Sequence, residues 1–241
     1  STKGAHPPWG YFLTPRLDRA SILGDMEESL EALGVSGVEL YYLHRDDESR
    51  PVGDILETLN MLTESGKAQL LGASNWKTAR LEEANAYAAA HGLKGFSVNQ
   101  PQWSLAFQHR VADVTLVQMD RAMYEMHRKT GMAAMPYSSQ AQGFLTKLFE
   151  LGEDRLPDAL KRDFVSEDNA RRYQAVLKVR EETGLSVGAI ALAFLTGQKD
   201  FFTLPIVGVS RLSQVEALRE ASDAVLPPAA LSALNAAAGL A

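Results

Sequence analysis

The chain has 241 residues, of which 46% are hydrophobic and 22% charged, and its formal net charge is -6 at pH 7. This is the composition of a soluble globular protein with enough apolar residues for a large core, and the acidic balance argues against nucleic-acid binding. The absence of cysteine excludes disulfides, thiol nucleophiles and cysteine-ligated metals, and it is consistent with a reducing, cytoplasmic location.

Segments with strand-like and helix-like apolar patterns alternate along the whole chain. Strands are predicted at residues 1–3, 38–43, 70–73, 96–99, 132–137 and 202–207. Helices are predicted at 22–33, 55–62, 77–90 and 116–128, as two or three helices within 144–197, and as two C-terminal helices, the second starting at Pro227-Pro228. Gly34, Gly66 and Gly92 each follow a predicted helix, where glycine commonly ends one. No apolar run is long enough to cross a membrane.

Six strands that are each followed by helix predict an α/β fold with a parallel sheet. We interpret residues 1–241 as one domain, because no linker or shift in composition divides them. A doubly wound dinucleotide-binding sheet would carry a G-x-G-x-x-G turn after its first strand, and the chain has none. The pattern therefore favours a (β/α)8-type barrel of which about six units are present, with two further units expected before Ser1.

Six segments, in order along the chain, are similar to the barrel strand ends of the aldo-keto reductase family. These segments are residues 1–4, 37–44, 66–76, 98–105, 136–145 and 204–211. The resemblance runs nearly end to end. It implies an enzyme that uses NADP(H), with NAD(H) as the alternative, to reduce a small-molecule aldehyde or ketone to an alcohol.

By this resemblance, Lys3 and His44 are the catalytic residues present in the chain. A lysine can lower the pKa of a nearby tyrosine through its charge, and a histidine at a strand end can hydrogen-bond a substrate carbonyl. A solvated lysine and a structural histidine are the alternative interpretations. The family's proton-donor tyrosine and its aspartate partner are expected upstream of Ser1. Tyr11 and Tyr42 are the tyrosines considered as substitutes within the chain, and neither is the favoured interpretation.

The resemblance also implies a set of cofactor-binding residues. They are Ser74, Asn75, Gln100, Tyr137, Ser138, Gly208, Ser210, Arg211 and Gln214. Hydroxyl and amide groups can bind a nicotinamide carboxamide, a tyrosine ring can stack on the nicotinamide, and an arginine at a helix N-terminus can bind phosphate. Helix capping and core packing are the alternative roles for these residue types.

Aromatic residues in or near predicted loops could wall an apolar substrate pocket. The residues expected to do so are Trp9, Trp76 and Trp103. No metal site is expected, because the histidines lack the spacing of metal ligands. The alternatives to an enzyme are a non-catalytic dinucleotide-binding sensor or interaction subunit of the same fold, and an inactive fragment. The open strand edges of a partial barrel would favour association into oligomers.

Overall fold

The computed structural model describes residues 1–8, 10, 11 and 13–240, apart from the side chains at positions 213, 216 and 217. The described residues form two compact units. The N-terminal unit consists of Ser1–Pro101 with Asp113–Gln118, and the C-terminal unit consists of Gln102–Ala112 with Met119–Ala241. The interpretation of the chain as a single domain stays a prediction.

The N-terminal unit is built on four parallel strands. They are β1 (Thr2–Gly4), β2 (Val38–Leu43), β3 (Ala68–Ser74) and β4 (Phe96–Gln100), and each pairs with the next one along the chain. Lys3 lies opposite Tyr42, Tyr42 opposite Gly72, and Ser74 opposite Gln100. Because side chains alternate between the two faces of a strand, Lys3, Tyr42 and Gly72 share one face, and Ser74 and Gln100 lie on that face farther along.

Three helices alternate with these strands, namely α1 (Arg19–Leu33), α2 (Val52–Glu64) and α3 (Thr78–His91). Their apolar positions at helical spacing are buried, as the sequence pattern predicted. The buried apolar residues are Ile22, Met26 and Leu30 on α1, Ile55, Leu56, Leu59 and Leu62 on α2, and Leu81, Ala84 and Ala88 on α3. Gly34 and Gly92 end α1 and α3 in the left-handed conformation, with φ of 65° and 66°, where glycine carries no steric cost.

The C-terminal unit is mainly helical. It contains β5 (Ala133–Ala134) and the helices α4 (Arg121–Thr130), α5 (Phe144–Leu151), α6 (Asp158–Phe164), α7 (Glu167–Thr183), α8 (Val187–Thr196), α9 (Leu212–Asp223) and α10 (Pro228–Ala237). Helix α8 is apolar around most of its circumference and packs against α5, α7, α9 and α10. Of the helices that the structure describes, none has the length and apolar character needed to cross a membrane.

Two helix predictions after residue 115 were wrong, one in where the helix begins and one in the number of helices. The helix predicted at 116–128 begins only at Arg121, because the Asp120 carboxylate accepts a hydrogen bond from the Met123 backbone N–H (2.8 Å) and caps it. The two or three helices predicted within 144–197 are four, α5 to α8. Ser166 and Ser186 cap the third and fourth of these helices with their hydroxyl groups.

The strand predictions were wrong at the C-terminal end. Of the strand predicted at 132–137, only β5 forms. Residues 202–207 pair with it through a single bridge, between Thr203 and Ala134. Hydrogen bonds do run from Ala134 N to Phe202 O, from Leu204 N to Ala134 O and from Ile206 N to Pro136 O, each 2.9 Å. Pro136 cannot donate the next hydrogen bond of this pairing because proline has no N–H, so the regular pairing of the two segments is interrupted.

Gly72 lets an aromatic ring lie across β3. A Cβ atom at position 72 would overlap the ring of Tyr42, which is itself fully buried. The small residue is therefore required by the close approach of the two strands' side chains.

We predict that Gly72→Ala lowers the free energy of unfolding by about 1–3 kcal/mol, because the added methyl group must displace a buried ring. Urea denaturation would measure the change. Gly24→Ala is the matched control, since Gly24 lies exposed on α1 with nothing within 4 Å of an added Cβ. That variant should be unchanged or more stable by roughly 0.5–1 kcal/mol. A Gly72→Ala variant as stable as the unmodified chain would contradict the close packing of the Tyr42 ring against position 72.

Candidate functional site

Polar side chains at the ends of β1 to β4 form a connected group in the N-terminal unit. We call this group the strand-end cluster, and its members are Lys3, Tyr42, His44, Ser74, Asn75 and Gln100. The Lys3 ammonium lies 5.9 Å from the centroid of the Tyr42 ring. The Tyr42 hydroxyl is hydrogen-bonded to the Gln100 side chain. The structure thus brings together the five predicted catalytic and cofactor-binding residues of this unit and adds Tyr42 to them.

Both predicted catalytic residues have pKa values that are lowered. Burial and then the positive charges of Lys3 and Arg45 lower the pKa of His44 to about 3, so its imidazole is neutral near pH 7. Burial and then the charge of Arg45 lower the pKa of Lys3 from its ordinary value. The His6 ring lies 4.5 Å from the His44 ring, centroid to centroid. A neutral imidazole can donate one hydrogen bond to a carbonyl oxygen, as the predicted role requires.

The predicted nicotinamide-binding residues are buried and hydrogen-bonded to one another. The Ser74 hydroxyl donates to the main-chain oxygen of Gln100 (2.9 Å) and accepts from the Asn75 amide (3.1 Å). That amide also donates to the main-chain oxygen of His44 (3.2 Å). The side-chain oxygen of Gln100 is buried and has no hydrogen-bond partner among the described residues. Since buried polar atoms are normally paired, this oxygen points to a missing donor.

Arg45 links segment Asp113–Gln118 to the strand-end cluster through hydrogen bonds and an ion pair. Its guanidinium donates to the main-chain oxygen of His44 (2.8 Å) and to the Thr115 hydroxyl (2.9 Å), and it pairs with the Asp113 carboxylate at 3.1 Å. The Asn75 side-chain oxygen accepts from the Val117 backbone N–H (3.1 Å). Nothing in the local sequence distinguishes Arg45 from a solvated loop arginine, because its partners are about 70 residues away in the chain.

The predicted substrate-pocket tryptophans are core residues where the structure describes them. Trp76 is 0% exposed, and its indole N–H donates to the main-chain oxygen of Arg45 (3.1 Å). Trp103 is 4% exposed and packs among the rings of Tyr124, Phe194 and Phe201. Trp9 lies outside the described residues. A role for these residues in contacting substrate stays a prediction.

A cavity of about 830 Å³ in the C-terminal unit is lined by four of the predicted cofactor-binding residues. They are Ser138, Gly208, Arg211 and Gln214. Two further cationic side chains, Lys147 and Arg180, line the same cavity and were missed from the sequence. Lys147 lies in the first turn of α5, where the helix dipole disfavours a cation, and that mismatch is the signal that could have revealed it.

Side-chain contacts hold the cations of this cavity in place. The Lys147 ammonium donates to the main-chain oxygen of Gln142 (2.8 Å), and the Arg180 guanidinium lies 4.6 Å from the centroid of the Phe149 ring. At the start of α9, the Gln214 side-chain oxygen accepts from the backbone N–H groups of Ser210 (2.7 Å) and Arg211 (3.1 Å). These two backbone donors are occupied, so an anion here would be bound by the cationic side chains.

Tyr137 and Ser210 complete the predicted set, and neither lines this cavity. Tyr137 is half-buried, and its main-chain oxygen accepts from the Trp103 backbone N–H (3.2 Å). The Ser210 hydroxyl is hydrogen-bonded to the Gln214 side chain (3.2 Å). A ring-stacking role for Tyr137 stays a prediction.

Parallel strands that alternate with helices, and polar groups at the carboxyl ends of those strands, are the features of a barrel-type α/β enzyme. The chain belongs to the aldo/keto reductase family, whose model matches residues 1–238. This match confirms the family resemblance. A crystal structure of a thermostable aldo-keto reductase with the inhibitor epalrestat is similar at a TM-score of 0.66 and 18% identity, covering 92% of this chain and 67% of that one. The likeness confirms the predicted barrel-type fold.

Relatives of known name include several oxidoreductases. Norsolorinic acid reductase B of Dothistroma septosporum is 29% identical over 87% of this chain and 51% of its own length. A Schizosaccharomyces pombe protein named as an aryl-alcohol dehydrogenase is 27% identical over 87% of this chain and 56% of its own. The chain spans about half the length of the curated relatives it matches. Members of this family are oxidoreductases that act on small carbonyl compounds and generally bind NAD(P)H.

We predict that His44 makes the protein less stable on acidification. The unfolded chain takes up a proton on His44 near pH 6.5, whereas the folded chain does so only near pH 3. Stability from this residue is therefore complete above pH 6.5 and falls as the pH drops below it, by up to about 1.4 kcal/mol per pH unit. Urea unfolding at pH 7 and pH 5 should show the unmodified chain losing about 1–2 kcal/mol more than His44→Gln. Equal losses for the two proteins would show that His44 is not buried in its neutral form.

Proposed function

We propose that this chain is part of a carbonyl reductase that binds NADP(H) and reduces a small aldehyde or ketone to an alcohol. The observation that carries the proposal is the buried, unpaired side-chain oxygen of Gln100 in the strand-end cluster. A ligand N–H group delivered to this oxygen would satisfy it, and the amide group of a nicotinamide carboxamide supplies such a donor. NAD(H) is the alternative cofactor.

The cavity of the C-terminal unit supports the same proposal from its charge. Lys147, Arg180 and Arg211 offer three cations to one cavity, which suits the phosphate groups of a dinucleotide. Two acidic residues also line it, but the Glu220 carboxylate is engaged by the Ser186 backbone N–H (2.8 Å) and hydroxyl (2.5 Å) at the start of α8. That carboxylate is held at a helix N-terminus, and the three cations still exceed the two carboxylates, Glu150 and Glu220, by one charge.

His44 is the residue proposed to orient the substrate. As a neutral imidazole it can donate a hydrogen bond to the substrate's carbonyl oxygen and stabilise the charge that develops there. The bound cofactor would supply the hydride. Lys3 would lower the pKa of the proton-donating tyrosine, which we place in a polypeptide segment beyond these 241 residues. Tyr42 does not fit that role, because burial raises its pKa above the ordinary value.

A second candidate function is a dinucleotide-binding subunit that does not turn substrate over. The raised pKa of Tyr42 favours it, since the tyrosine beside Lys3 is a poor acid. Tyr11 is 69% exposed, which argues against a catalytic position. An Arabidopsis thaliana protein named as a voltage-gated potassium channel beta subunit is 25% identical over 87% of this chain and 63% of its own length.

A cytoplasmic location and self-association of the chain also stay predictions.

Titration of the chain with NADPH, followed by fluorescence, separates these functions when turnover of an aldehyde is followed in the same sample. We expect NADPH to bind. Turnover would show that a proton donor lies within the 241 residues. Binding without turnover supports either a donor outside them or the non-catalytic subunit, and restoring a longer parent polypeptide then distinguishes the two. No binding by a folded chain would contradict the proposed function.

We predict that Arg211→Ala weakens NADPH binding about tenfold, because a charge-assisted hydrogen bond to phosphate is lost. NADH binding should change by less than about threefold if Arg211 contacts the 2′-phosphate that distinguishes the two cofactors. Arg219→Ala is the control, since Arg219 is an exposed arginine of the same helix that does not line the cavity. Unchanged NADPH affinity in Arg211→Ala would rule out a phosphate contact for this residue.

A further inference from the structure

We infer that Tyr42 is a positioning residue that fixes the orientation of the Gln100 side-chain amide toward the cofactor. The inference rests on the proposed function, because it assigns a task within the same dinucleotide site. An amide side chain has a donor end and an acceptor end of nearly equal shape, so its direction must be set by its neighbours. Whichever end faces the ligand decides which ligand group can bind.

The structure shows how Tyr42 reaches Gln100 from a strand two positions away in the sheet. Tyr42 lies on β2 and Gln100 on β4, with β3 between them. The absence of a side chain at Gly72 lets the Tyr42 ring lie across β3, where an added Cβ would overlap it. The hydroxyl group of Tyr42 is thereby carried to the Gln100 side chain, to which it is hydrogen-bonded.

The direction of this hydrogen bond follows from the fact that the side-chain oxygen of Gln100 has no partner in the part of the chain that the structure describes. The side-chain oxygen of Gln100 has no hydrogen-bond partner among the described residues, so the bond to Tyr42 must use the amide nitrogen. The amide N–H therefore donates to the phenol oxygen, and the acceptor end is left for the ligand. Gln100 is only 2% exposed, so leaving its oxygen without a donor costs free energy.

This arrangement makes the site selective for a donor. A carboxamide NH2 group would pair with the Gln100 oxygen, whereas a group that offers only acceptors would leave two oxygens facing each other. If the hydroxyl of Tyr42 were absent, the buried amide N–H of Gln100 would lose its acceptor, and the side chain would no longer be held in the orientation that presents its oxygen to the ligand. Cofactor affinity would then fall even though no atom that contacts the cofactor had changed.

Tyr42→Phe tests the inference, because it keeps the ring over Gly72 and beside Lys3 and removes only the hydroxyl. Tyr41→Phe is a matched control, since Tyr41 is equally buried on the same strand and its hydroxyl donates to the main-chain oxygen of Ile22 (3.1 Å). Two ligands would be titrated, NADPH and 2′-phospho-ADP-ribose, which lacks the nicotinamide. We expect Tyr42→Phe to weaken NADPH roughly tenfold and to leave 2′-phospho-ADP-ribose unchanged. Tyr41→Phe should change neither.

A double-mutant cycle with Gln100→Met shows whether Tyr42 acts through Gln100. In the Gln100→Met background, Tyr42→Phe should alter NADPH affinity by less than about twofold. Full NADPH affinity in Tyr42→Phe overturns the inference, and so does an equal loss for both ligands or an undiminished effect in the Gln100→Met background. If the unmodified chain is folded and binds neither ligand, the proposed function fails and this inference fails with it.

Discussion

The strand-end cluster depends on a geometric constraint, the alternation of side chains along parallel strands and the register in which those strands pair. Between β3 and β4 this register shifts by one residue at Leu71/Gly72, and the shift is what pairs Ser74 with Gln100. Lys3, Tyr42 and Gly72 form one row across β1, β2 and β3, and Ser74 and Gln100 continue that face farther along β3 and β4. A shift of one residue in any strand would turn its polar groups to the opposite face. The catalytic and cofactor-binding roles proposed for this unit all require that register.

Burial gives these polar groups their chemical character. Removal from water and the nearby positive charges favour the neutral forms of His44 and Lys3, and the pKa of each is lowered accordingly. Arg45 is held next to them by Asp113, Thr115 and the His44 main-chain oxygen, which pair with its guanidinium. These hydrogen bonds hold the cluster together, and they leave the buried side-chain oxygen of Gln100 without a partner among the described residues.

Most of the fold in the N-terminal unit was predictable from local pattern. Its strands and helices were found within a few residues, because apolar periodicity and terminal glycines such as Gly34 and Gly92 act over one or two helical turns. The C-terminal unit was less predictable. The final predicted strand failed because Pro136, on its partner segment, cannot donate the next hydrogen bond. That information lies about 70 residues away from the segment it affects.

The sequence by itself determined the family, the alternation of strands and helices, and which strand ends carry polar side chains. Motif order and short-range periodicity suffice for these, because each is encoded within a contiguous segment. Only the tertiary structure decided that Trp76 and Trp103 are packed in cores, that Lys147 and Arg180 share a cavity with Arg211, and that Tyr42 is hydrogen-bonded to Gln100. These facts depend on contacts between residues distant in the chain, and the spacing of side chains along a sequence does not encode which of them meet.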